Sequence, residues 1–584
     1  MRGGGTDRAM SGRAGGMALA GVLCAAVSSP AGAQAVGDPG ARPRVVQVVL
    51  PAAPTPIERF AAEELGRCLQ LSLGWQVQVR EGAPRGDARP VFWVGTAEAE
   101  RLAPVPAAWA RGKADALRED GVALRGDGRN VILLGKGPRG ALNAVYTFLE
   151  RYVGCRWPEP DREYVPRQRA LKLDGIAFVS NPAFPYRGIA IHGQCSPEWF
   201  TRIVDWLGKN RLNGFQLFIG HYETLRPQVL AEVQKRGLSP NIGAHSREFF
   251  FPAEKYFQEH PEYFALVKGE RTPHTQLCYA NLDSVPQYVE NIVTYLQTRP
   301  EITMVGLWPS DGYGFCECER CQAGHVTDVI LNYTNALARG VAEKLPQMKC
   351  EFLSYIHYTV PPKEVRPLPQ LVPTYCEYWS RSQFHPITEE RNENRRCREE
   401  LAQWIALAKE VTLFSYYGDD CIKRFLYNPL EDVVVTDLRT YHKMGLAGHF
   451  VLLTNPESWW SQAPHLYAYA RAAWDPAITP RQVAEEYYAS LYGPAAKAMQ
   501  AHAAACRALF DLKLVQGATG EEVLFGFGFP HYDVAKDEES RAQVAAAIER
   551  ILAPLAEARG QRGGVGAAAR GEAGGRRALP ADGV

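Results

Sequence analysis

The sequence predicts an α/β protein: a TIM-like (β/α)₈ barrel, preceded by a small α/β accessory domain and followed by a helical C-terminal region. Between residues 184 and 475, eight short apolar runs typical of buried strands alternate with stretches of helical periodicity. Such alternation is typical of a parallel sheet covered by helices, and eight units close a barrel. An open doubly wound sheet is the alternative, but it usually carries a phosphate-binding loop, which we do not find. The strand candidates are residues 188–192, 214–219, 238–244, 302–308, 350–356, 372–378, 411–416 and 448–453.

Helical patterns lie between most of these strand candidates. The connection between the fifth and sixth strands is short and rich in proline, which disfavours a helix. The sequence therefore predicts that the fifth helix of the barrel is missing. The helix candidates are residues 197–209, 225–235, 285–298, 327–345, 394–409 and 432–443.

Residues 42–175 are predicted to form the accessory domain, and their number is typical of a single folded domain. A strand at residues 44–50 is followed by a helix that Thr55 and Pro56 open. The glycines of Gly135–Gly140 precede a second helix and match neither a Walker nor a dinucleotide motif, so we interpret them as a turn. Further strand-like runs lie at residues 76–79, 91–94, 122–124 and 131–134, and the second helix at 141–152.

The first 33 residues are typical of an export signal. Arginines precede an apolar stretch, residues 17–27, and Ala31-Gly32-Ala33 fits a small-residue cleavage site before Gln34. The apolar stretch is too short to span a membrane. We therefore expect an exported protein, periplasmic or extracellular, without membrane insertion.

The chain after the barrel divides into two parts. Residues 476–559 carry helical patterns and predict the helical C-terminal region. Residues 560–584 are rich in Gly, Ala and Arg without an apolar period, which predicts a disordered tail.

Composition narrows the class of function. The formal net charge is only +1 over 584 residues, so we expect no binding of nucleic acid or of an anionic membrane. The 12 Trp and 26 Tyr residues suit stacking against sugar rings, although large cores also use aromatic side chains. Composition alone therefore permits a carbohydrate-binding protein without requiring one.

Acids that follow predicted strands are the candidate catalytic groups. Asp311 lies past the fourth strand, Glu377 past the sixth, Asp420 past the seventh and Glu457 past the eighth. The C-terminal ends of barrel strands face the active site, and two carboxyl groups at that end suit acid/base chemistry, of which glycoside hydrolysis is one example. We predict Asp311 and Glu377 as the pair, with Asp420 as the third candidate.

Each of these acids also has a structural interpretation. Ser310-Asp311-Gly312 is compatible with a turn whose carboxylate caps backbone amides. A charged Glu377 within an apolar strand is costly unless it faces the mouth of the barrel or has a polar partner. Asp419-Asp420 is compatible with a solvated pair in a loop.

Polar and aromatic residues at successive strand ends predict a sugar-binding cleft. A single His is most often a structural hydrogen-bonding group, so the recurrence at one end of the barrel carries the argument. Arg247 suits a bidentate pair with a uronate carboxylate, or a pair with Glu248 or Glu254. The candidate substrate-binding residues are His192, His221, Tyr222, His245, Arg247, His357, Tyr416 and Trp459.

A group of cysteines follows Asp311 closely. Cys316, Cys318 and Cys321 form C-x-C-x-x-C, and Cys278, before the fourth strand, is the natural fourth ligand. Four thiolates suit a closed structural zinc site without an open position for catalysis. Disulfides are the alternative in an exported protein, but the close C-x-C pair cannot easily bridge itself, which favours zinc.

Several segments resemble known families. In order, Phe60–Leu65, Val94–Thr96, Gly140–Glu150 and Gly154–Pro158 closely resemble the N-terminal α/β domain of family 67 α-glucuronidases and family 20 β-hexosaminidases. The remainder resembles the barrel of domain-of-unknown-function family 4838. That family shows a Cys-bearing segment similar to Gln276–Tyr279 and an acid followed by C-x-C-x-x-C. The resemblance implies an accessory domain and a barrel over roughly residues 44–500.

The sequence departs from family 20 at the fourth strand. Those enzymes place an Asp-Glu pair there, whose Asp positions the acetamido group of the substrate. The corresponding segment is Ser310-Asp311-Gly312, without an adjacent Glu. The resemblance therefore does not extend to substrate-assisted cleavage of an N-acetyl sugar.

These observations together predict an exported glycoside hydrolase-like protein. It would act on a polysaccharide or glycoconjugate by carboxylate acid/base chemistry, without a catalytic cofactor. The alternative is a non-catalytic carbohydrate-binding protein on the same barrel, since a fold does not imply an activity. A metal-dependent hydrolase that uses the cysteines ranks last, because it would need an open coordination position.

Overall fold

The computed structural model describes residues 44–96, 115–377, 383–418, 427–510 and 538–571. Its N-terminal strands are β1 (Val45–Leu50), β2 (Gln76–Glu81), β3 (Val91–Thr96), β4 (Val122–Asp127), β5 (Asn130–Gly135), β6 (Arg156–Glu159), β7 (Arg162–Tyr164) and β8 (Asp174–Ser180). Six of them form a mixed sheet in the order β2-β1-β3-β5-β4-β8, and β6 pairs with β7. Strand β8 was not expected from the sequence; it extends the sheet by pairing antiparallel with β4.

In the part of this domain that the structure describes, two α-helices cover one face of the sheet. Helix α1 (Pro56–Leu73) begins with a capping box, in which Thr55 Oγ1 accepts from the Glu58 amide and the Thr55 amide donates to Glu58 Oε2. It ends at Gly74, whose left-handed φ of 67° suits glycine. Helix α2 (Gly137–Phe148) packs beside α1, and both bury their apolar side chains against the sheet.

The Gly135–Gly140 segment is a packed junction between a strand and a helix, and α2 already begins at Gly137. A Cβ atom on Gly135 would lie 1.8 Å from the carbonyl carbon of Gly140. The two backbones touch there, so neither glycine has room for a side chain. The interpretation of this segment as a turn is therefore corrected: the glycines allow close contact between β5 and α2.

The chain that follows this domain forms a closed barrel. Its strands and a small hairpin are β9 (Tyr186–Ile191), β10 (Gly214–Phe218), β11 (Ser239–Gly243), β12 (Leu266–Val267), β13 (Glu270–Arg271), β14 (Met304–Gly306), β15 (Lys349–Ser354), β16 (Leu371–Cys376), β17 (Thr412–Gly418) and β18 (Gly448–Leu453). All except β12 and β13 form the barrel, every neighbouring pair is parallel, and β18 closes onto β9. The predicted fold class is confirmed.

Helices surround the barrel at most of the expected positions. They are α3 (Pro197–Lys209), α4 (Ile219–Lys235), α5 (Arg247–Phe250), α6 (Ala253–Tyr256), α7 (Val285–Gln297), α8 (Glu319–Gln322), α9 (Val326–Lys344), α10 (Asn392–Leu407) and α11 (Glu431–Met444). Between β15 and β16, whose connection is fully described, only a 3₁₀ turn at Ile356–Tyr358 occurs. This connection therefore contains no α-helix, as the proline-rich sequence predicted.

Among the described residues that follow the barrel, four α-helices occur: α12 (Ala463–Trp474), α13 (Pro480–Tyr492), α14 (Ala496–Phe510) and α15 (Glu538–Gly571). Helix α15 enters the stretch that the sequence indicated as a disordered tail. The helix covers residues 560–571 of that stretch, and residues 572–584 lie outside the described residues, so the disordered tail stays a sequence-based prediction there. No helix among the described residues is both long and apolar enough to cross a bilayer.

A buried ion-pair network connects the accessory domain to the barrel, and both belong to one unit that starts at Val45. Asp120 has no exposed surface, and its carboxylate accepts from Arg139 Nε at 2.5 Å and from Arg187 Nη2 at 2.7 Å. Arg187 lies on β9, the first barrel strand. A second buried pair, Glu150 Oε2 with Arg211 Nη2 at 2.6 Å, lies at the same interface. These contacts fix the position of the first barrel strands relative to the sheet.

Candidate functional site

The mouth of the barrel has an aromatic floor. Trp308 follows β14, is 2% exposed and lies within the cluster of side chains that fills the barrel interior. Its ring contacts the rings of His245 at a centroid distance of 5.2 Å and Phe414 at 5.8 Å. Tyr355 lies 6.0 Å from His245 on the other side. Trp308 and Phe414 are themselves buried, whereas Tyr355 is half-buried and can present part of its ring to the apolar face of a sugar.

A polar network lies beneath this floor. Glu351, in the middle of β15, has no exposed surface, and its Oε2 accepts from Gln216 Nε2 at 2.9 Å, Asn241 Nδ2 at 3.1 Å and Trp308 Nε1 at 3.1 Å. Its Oε1 accepts from Thr374 Oγ1 at 2.6 Å. Burial raises the pKa of Glu351 to about 7, although these donors favour the ionised form and oppose the rise.

His192 follows β9 and lies at the edge of the floor. Its ring is 4.3 Å from Phe218 and 5.5 Å from Phe414, measured between centroids. Burial, together with the imidazoles of His245 and His221, lowers its pKa to about 3, although a hydrogen bond with Gln216 opposes the shift. The ring is therefore neutral near pH 7, and its role in the site is that of a hydrogen-bonding group rather than a cation.

His245 and Asp311 face each other across the mouth. His245 Nε2 lies 3.8 Å from Asp311 Oδ1, and the Asp311 side chain is 67% exposed. His245 Nδ1 lies 2.5 Å from the carbonyl oxygen of Pro309, so this nitrogen carries the proton and donates it. In the neutral imidazole, Nε2 therefore presents its lone pair toward Asp311. Burial lowers the pKa of His245, while Asp311 raises it in part.

The loop that carries Asp311 is attached to its neighbours by hydrogen bonds. We call residues 307–318 the β14 loop. Arg247 Nε donates to Ser310 Oγ at 2.9 Å, and Arg247 Nη2 donates to the carbonyl oxygen of Thr275 at 3.0 Å. Gln276 Nε2 donates to the carbonyl oxygen of Ser310 at 2.6 Å. Arg247 is 1% exposed and also pairs with Glu248, so the structure uses its guanidinium to position this loop.

Glu377 has a different environment from Asp311. It has no exposed surface, and Tyr441 on helix α11 donates to its Oε2 at 3.2 Å. The preceding residue, Cys376, points into the barrel, where its thiol lies 3.0 Å from the hydroxyl of Tyr416. Because successive strand residues face opposite sides, Glu377 is directed toward the helix layer. Of the two acids predicted as a pair, the structure places only Asp311 at the mouth.

The other predicted substrate-binding residues divide between the mouth and the helix layer. Tyr222 donates to Glu301 Oε1 at 2.7 Å, and Trp459 packs on Trp206 at 4.9 Å, so both are buried among helices. His221 is buried in the first turn of α4, and burial lowers its pKa. Tyr416 is buried beside Phe414. His357 is exposed at the rim, where its ring lies 5.1 Å from that of Tyr313.

Two segments that follow barrel strands in the sequence lie outside the described residues. They are residues 378–382, after β16, and residues 419–426, after β17. The third catalytic candidate, Asp420, and its neighbour Asp419 belong to the second of these. Their carboxylates therefore remain sequence-based candidates.

The four predicted metal ligands converge. We call Cys278, Cys316, Cys318 and Cys321 the thiol cluster; their sulfur atoms all lie within 4.8 Å of one another. Cys278 Sγ is 3.6 Å from Cys318 Sγ and 3.8 Å from Cys321 Sγ. The ligands come from three places: the segment before α7, the β14 loop and helix α8. The arrangement can hold a single soft metal ion.

Sequence reasoning missed the residues that form the floor and its support. Trp308 and Glu351 were assigned to strands, but the side of the strand that each faces was not assigned. The detectable signal was a polar residue within an otherwise apolar run: Gln216, Asn241 and Glu351 each interrupt a predicted barrel strand. A polar interruption at an inward position predicts an interior hydrogen-bond network.

Solved structures of glycoside hydrolases share this architecture. BtGH115A, a family GH115 4-O-methyl-α-glucuronidase with specificity for decorated arabinogalactans, is 14% identical, with a TM-score of 0.57 over 88% of this chain and 68% of its own. A GH138 enzyme targeting pectin rhamnogalacturonan II is 12% identical, with a TM-score of 0.52 over 83% of this chain and 60% of its own. This chain thus spans less than two thirds of the GH138 enzyme. CpGH84D is 11% identical, with a TM-score of 0.50 over 79% and 70%.

At these identities the similarity shows a shared fold and no more. No curated protein matches the sequence. Residues 157–503, however, match the family model described as "Domain of unknown function (DUF4838)". The match covers more than half of the chain and confirms the resemblance identified from the sequence, so the protein belongs to the DUF4838 family.

Proposed function

We propose that the protein is an exported carbohydrate-active enzyme that hydrolyses a glycosidic bond at the C-terminal mouth of its barrel. The observation that carries the proposal is the placement of the Asp311 carboxylate, 3.8 Å from His245 Nε2 and beside the aromatic floor of Trp308 and Tyr355. A sugar ring on that floor would have a carboxyl group and an imidazole at its edge. The signal-like residues 1–33 support export.

The geometry suits proton transfer by Asp311. His245 donates from Nδ1 to the Pro309 carbonyl, so the lone pair of its Nε2 faces the carboxyl group at 3.8 Å and can exchange a proton with it. In glycoside hydrolysis this proton would pass to the leaving-group oxygen, and a second carboxylate would activate water or attack the sugar. We assign the second carboxylate to Asp420, since Glu377 is directed toward helix α11.

Acidic plant polysaccharides are the first substrates to test. One structural neighbour is a glucuronidase specific for decorated arabinogalactans and another targets pectin rhamnogalacturonan II, and both folds cover most of this chain. A uronate carboxylate would accept hydrogen bonds from His192 or from a protonated His245 at the mouth. Arg247 is not available for this role, because its guanidinium already bonds the β14 loop.

A non-catalytic carbohydrate-binding protein is the second candidate. It is favoured by one observation: of the described acids that follow barrel strands, only Asp311 lies beside the floor, while Glu377 is directed to helix α11 and Glu457 accepts from the Ser196 amide. Such a protein would use Tyr355 and the imidazoles at the mouth for binding alone.

A product screen distinguishes the two candidates. The protein from residue 34 onward would be incubated with arabinogalactan, rhamnogalacturonan, mucin and glycosaminoglycan, and released sugars would be measured. We expect release that falls at least ~100-fold in Asp311→Asn, the size of a lost general acid, and persists in Glu377→Gln and in the exposed-site control Asp174→Asn. Binding on a glycan array without any released sugar would instead establish the binding protein.

A further inference from the structure

We propose that the thiol cluster binds one zinc ion in a closed tetrahedral site, and that this site fixes the β14 loop, with Asp311, at the mouth of the barrel. The metal part of the proposal is independent of the function proposed above. Only the expected effect on sugar turnover rests on that function. The argument uses the sulfur geometry, the groups around the sulfurs and the connections from the cluster to Asp311.

The spacing of the sulfurs fits a tetrahedron around zinc. With Zn–S bonds of ~2.3 Å, the edge of a regular tetrahedron is ~3.8 Å. The Cys278 sulfur lies 3.6 Å from that of Cys318 and 3.8 Å from that of Cys321. All four sulfurs lie within 4.8 Å of one another, so one ion can reach each of them.

Disulfide pairing does not fit this geometry. A disulfide requires a sulfur–sulfur distance of ~2.05 Å and leaves each pair independent of the other. Here Cys278 lies at nearly equal distances from two different partners, and all four thiols converge on one point. Convergence of four sulfurs on a common centre is what a metal requires.

The surroundings offset the charge of a tetrathiolate site. Four thiolates exceed the charge of a divalent ion by two, so such sites need donors around the sulfurs. The Leu266 amide donates to Cys316 Sγ at 3.3 Å, and Arg271 Nη1 lies 3.8 Å from the same sulfur. Both donors come from the β12–β13 hairpin, which covers one side of the cluster. The hairpin thus supplies the groups that a metal-bound thiolate requires.

The cluster joins the two segments that hold Asp311. Cys278 belongs to the segment after β13, while Cys316 and Cys318 end the β14 loop. Between the cluster and the mouth the same two segments are hydrogen-bonded, since Gln276 Nε2 donates to the carbonyl oxygen of Ser310 at 2.6 Å. Gly314 packs so closely against Thr275 that an added Cβ would lie 2.8 Å from the Thr275 Cβ. A metal at one end of this contact would therefore restrict Asp311 at the other.

Metal content tests the first part. The protein, purified without chelators and analysed by inductively coupled plasma mass spectrometry, should contain about one zinc per chain. Cys318→Ser should lose that zinc, whereas Cys506→Ser, on helix α14 far along the chain, should retain it. Wild-type protein without stoichiometric metal, or intact-mass evidence of linked cysteine pairs, would overturn the proposal.

A second measurement covers the case in which Cys318→Ser does not fold. Titration of the wild-type protein with a mercurial reagent, followed with a zinc-sensitive dye, should release one zinc as four thiols react. Release of zinc without modification of these thiols would place the metal elsewhere and contradict the assignment.

Hydrogen exchange tests the coupling to the mouth. Removing zinc from the wild-type protein should raise amide exchange in residues 264–280 and 307–322 and leave exchange in β1, β3 and β5 unchanged. Unchanged exchange in the β14 loop would overturn the fixing role while leaving the metal site in place. If the protein proves to be a hydrolase, metal-free protein should also lose turnover; if no substrate is turned over, the metal content and exchange results still decide this proposal.

Discussion

The indole nitrogen of Trp308 donates a hydrogen bond to Glu351 Oε2 across 3.1 Å inside the barrel. The same carboxylate oxygen accepts from Gln216 and Asn241, so one buried acid orients side chains from β10, β11 and the segment that follows β14. The floor of the candidate site therefore depends on a residue that no ligand would touch. Asp311 and His245 lie above this floor, and its stability can be tested separately from their chemistry.

Glu351→Leu should be strongly destabilising. It would leave the buried donors of Gln216, Asn241 and Trp308 without an acceptor, and each such group costs ~1–3 kcal/mol. We expect a loss of at least ~3 kcal/mol in the free energy of unfolding, measured by urea denaturation. Glu351→Gln is the matched control: its carbonyl oxygen can accept from the same three donors while its amide donates to Thr374, so it should stay within ~1 kcal/mol of wild type. Equal losses in the two variants would contradict this network.

The pH dependence of stability should also report Glu351. Its pKa is raised by burial from 4.5 to about 7 in the folded protein, so the folded state binds more protons than the unfolded state between these values. The contribution of Glu351 to stability should therefore fall as pH rises from 4.5 to 7, by up to ~3 kcal/mol. The pKa of Glu431 is also raised to about 7. Glu351→Gln should therefore remove only the part of the pH dependence of stability that Glu351 contributes. An unchanged slope in Glu351→Gln would show that Glu351 is ionised in the folded protein throughout.

Sequence patterns predicted the architecture well because the apolar periodicity of each strand and helix, and their alternation along the chain, are local signals. All eight barrel strands were located, and the proline-rich link after β15 correctly indicated the missing helix. Ends of strands were less accurate: the run at residues 302–308 pairs only over Met304–Gly306. The Leu307 and Trp308 amides still donate to the Glu351 and Ala244 carbonyl oxygens, but a Cβ on Gly306 would lie 2.5 Å from the Ala244 amide, a contact between distant residues that no local pattern contains.

The candidate site was less predictable, because a shift of one residue moves a side chain from the barrel interior to the helix layer. Asp311 lies in a loop past the strand and reaches the mouth, whereas Glu377 is the first residue after β16 and is directed outward. In the sequence both acids follow a predicted strand, so the sequence does not show which of them faces the mouth and which faces the helices. The thiol cluster, in contrast, was recognisable, since short spacing alone forces three of its members together.

Two glycines of the β14 loop offer a matched comparison. Gly312 and Gly314 both have left-handed backbone angles, with φ of 90° and 83°. An alanine at either position should therefore lose ~1–2 kcal/mol through backbone strain. Only at Gly314 would the new Cβ also meet Thr275, at 2.8 Å, whereas nothing lies within 4 Å at Gly312. We expect Gly314→Ala to lower the melting temperature more than Gly312→Ala does; the reverse order would show that the loop does not pack on Thr275.

Asp120 should make the junction between the accessory domain and the barrel sensitive to acid. Burial opposes its ionisation, but Arg139 and Arg187 outweigh burial and lower its pKa to about 2. Since the unfolded value is 3.8, the folded state binds fewer protons in this window. The stability that Asp120 contributes is thus present above pH 3.8 and is lost as pH falls toward 2.

Asp120→Ala should remove this contribution and destabilise the protein even at neutral pH. It leaves the guanidinium of Arg187, itself 1% exposed, without its carboxylate, and breaking a buried pair in this way costs ~3–5 kcal/mol. Unfolding followed by circular dichroism at pH 7 and pH 3 measures both effects, with the exposed Asp174→Asn as the control. A variant that matched wild type at pH 7 would show that Arg187 finds compensation from the Phe184 and Arg211 carbonyl oxygens, to which it also donates. Destabilisation at pH 7 that shrinks relative to wild type at pH 3 would instead show that the ion pair itself connects the two parts of the protein.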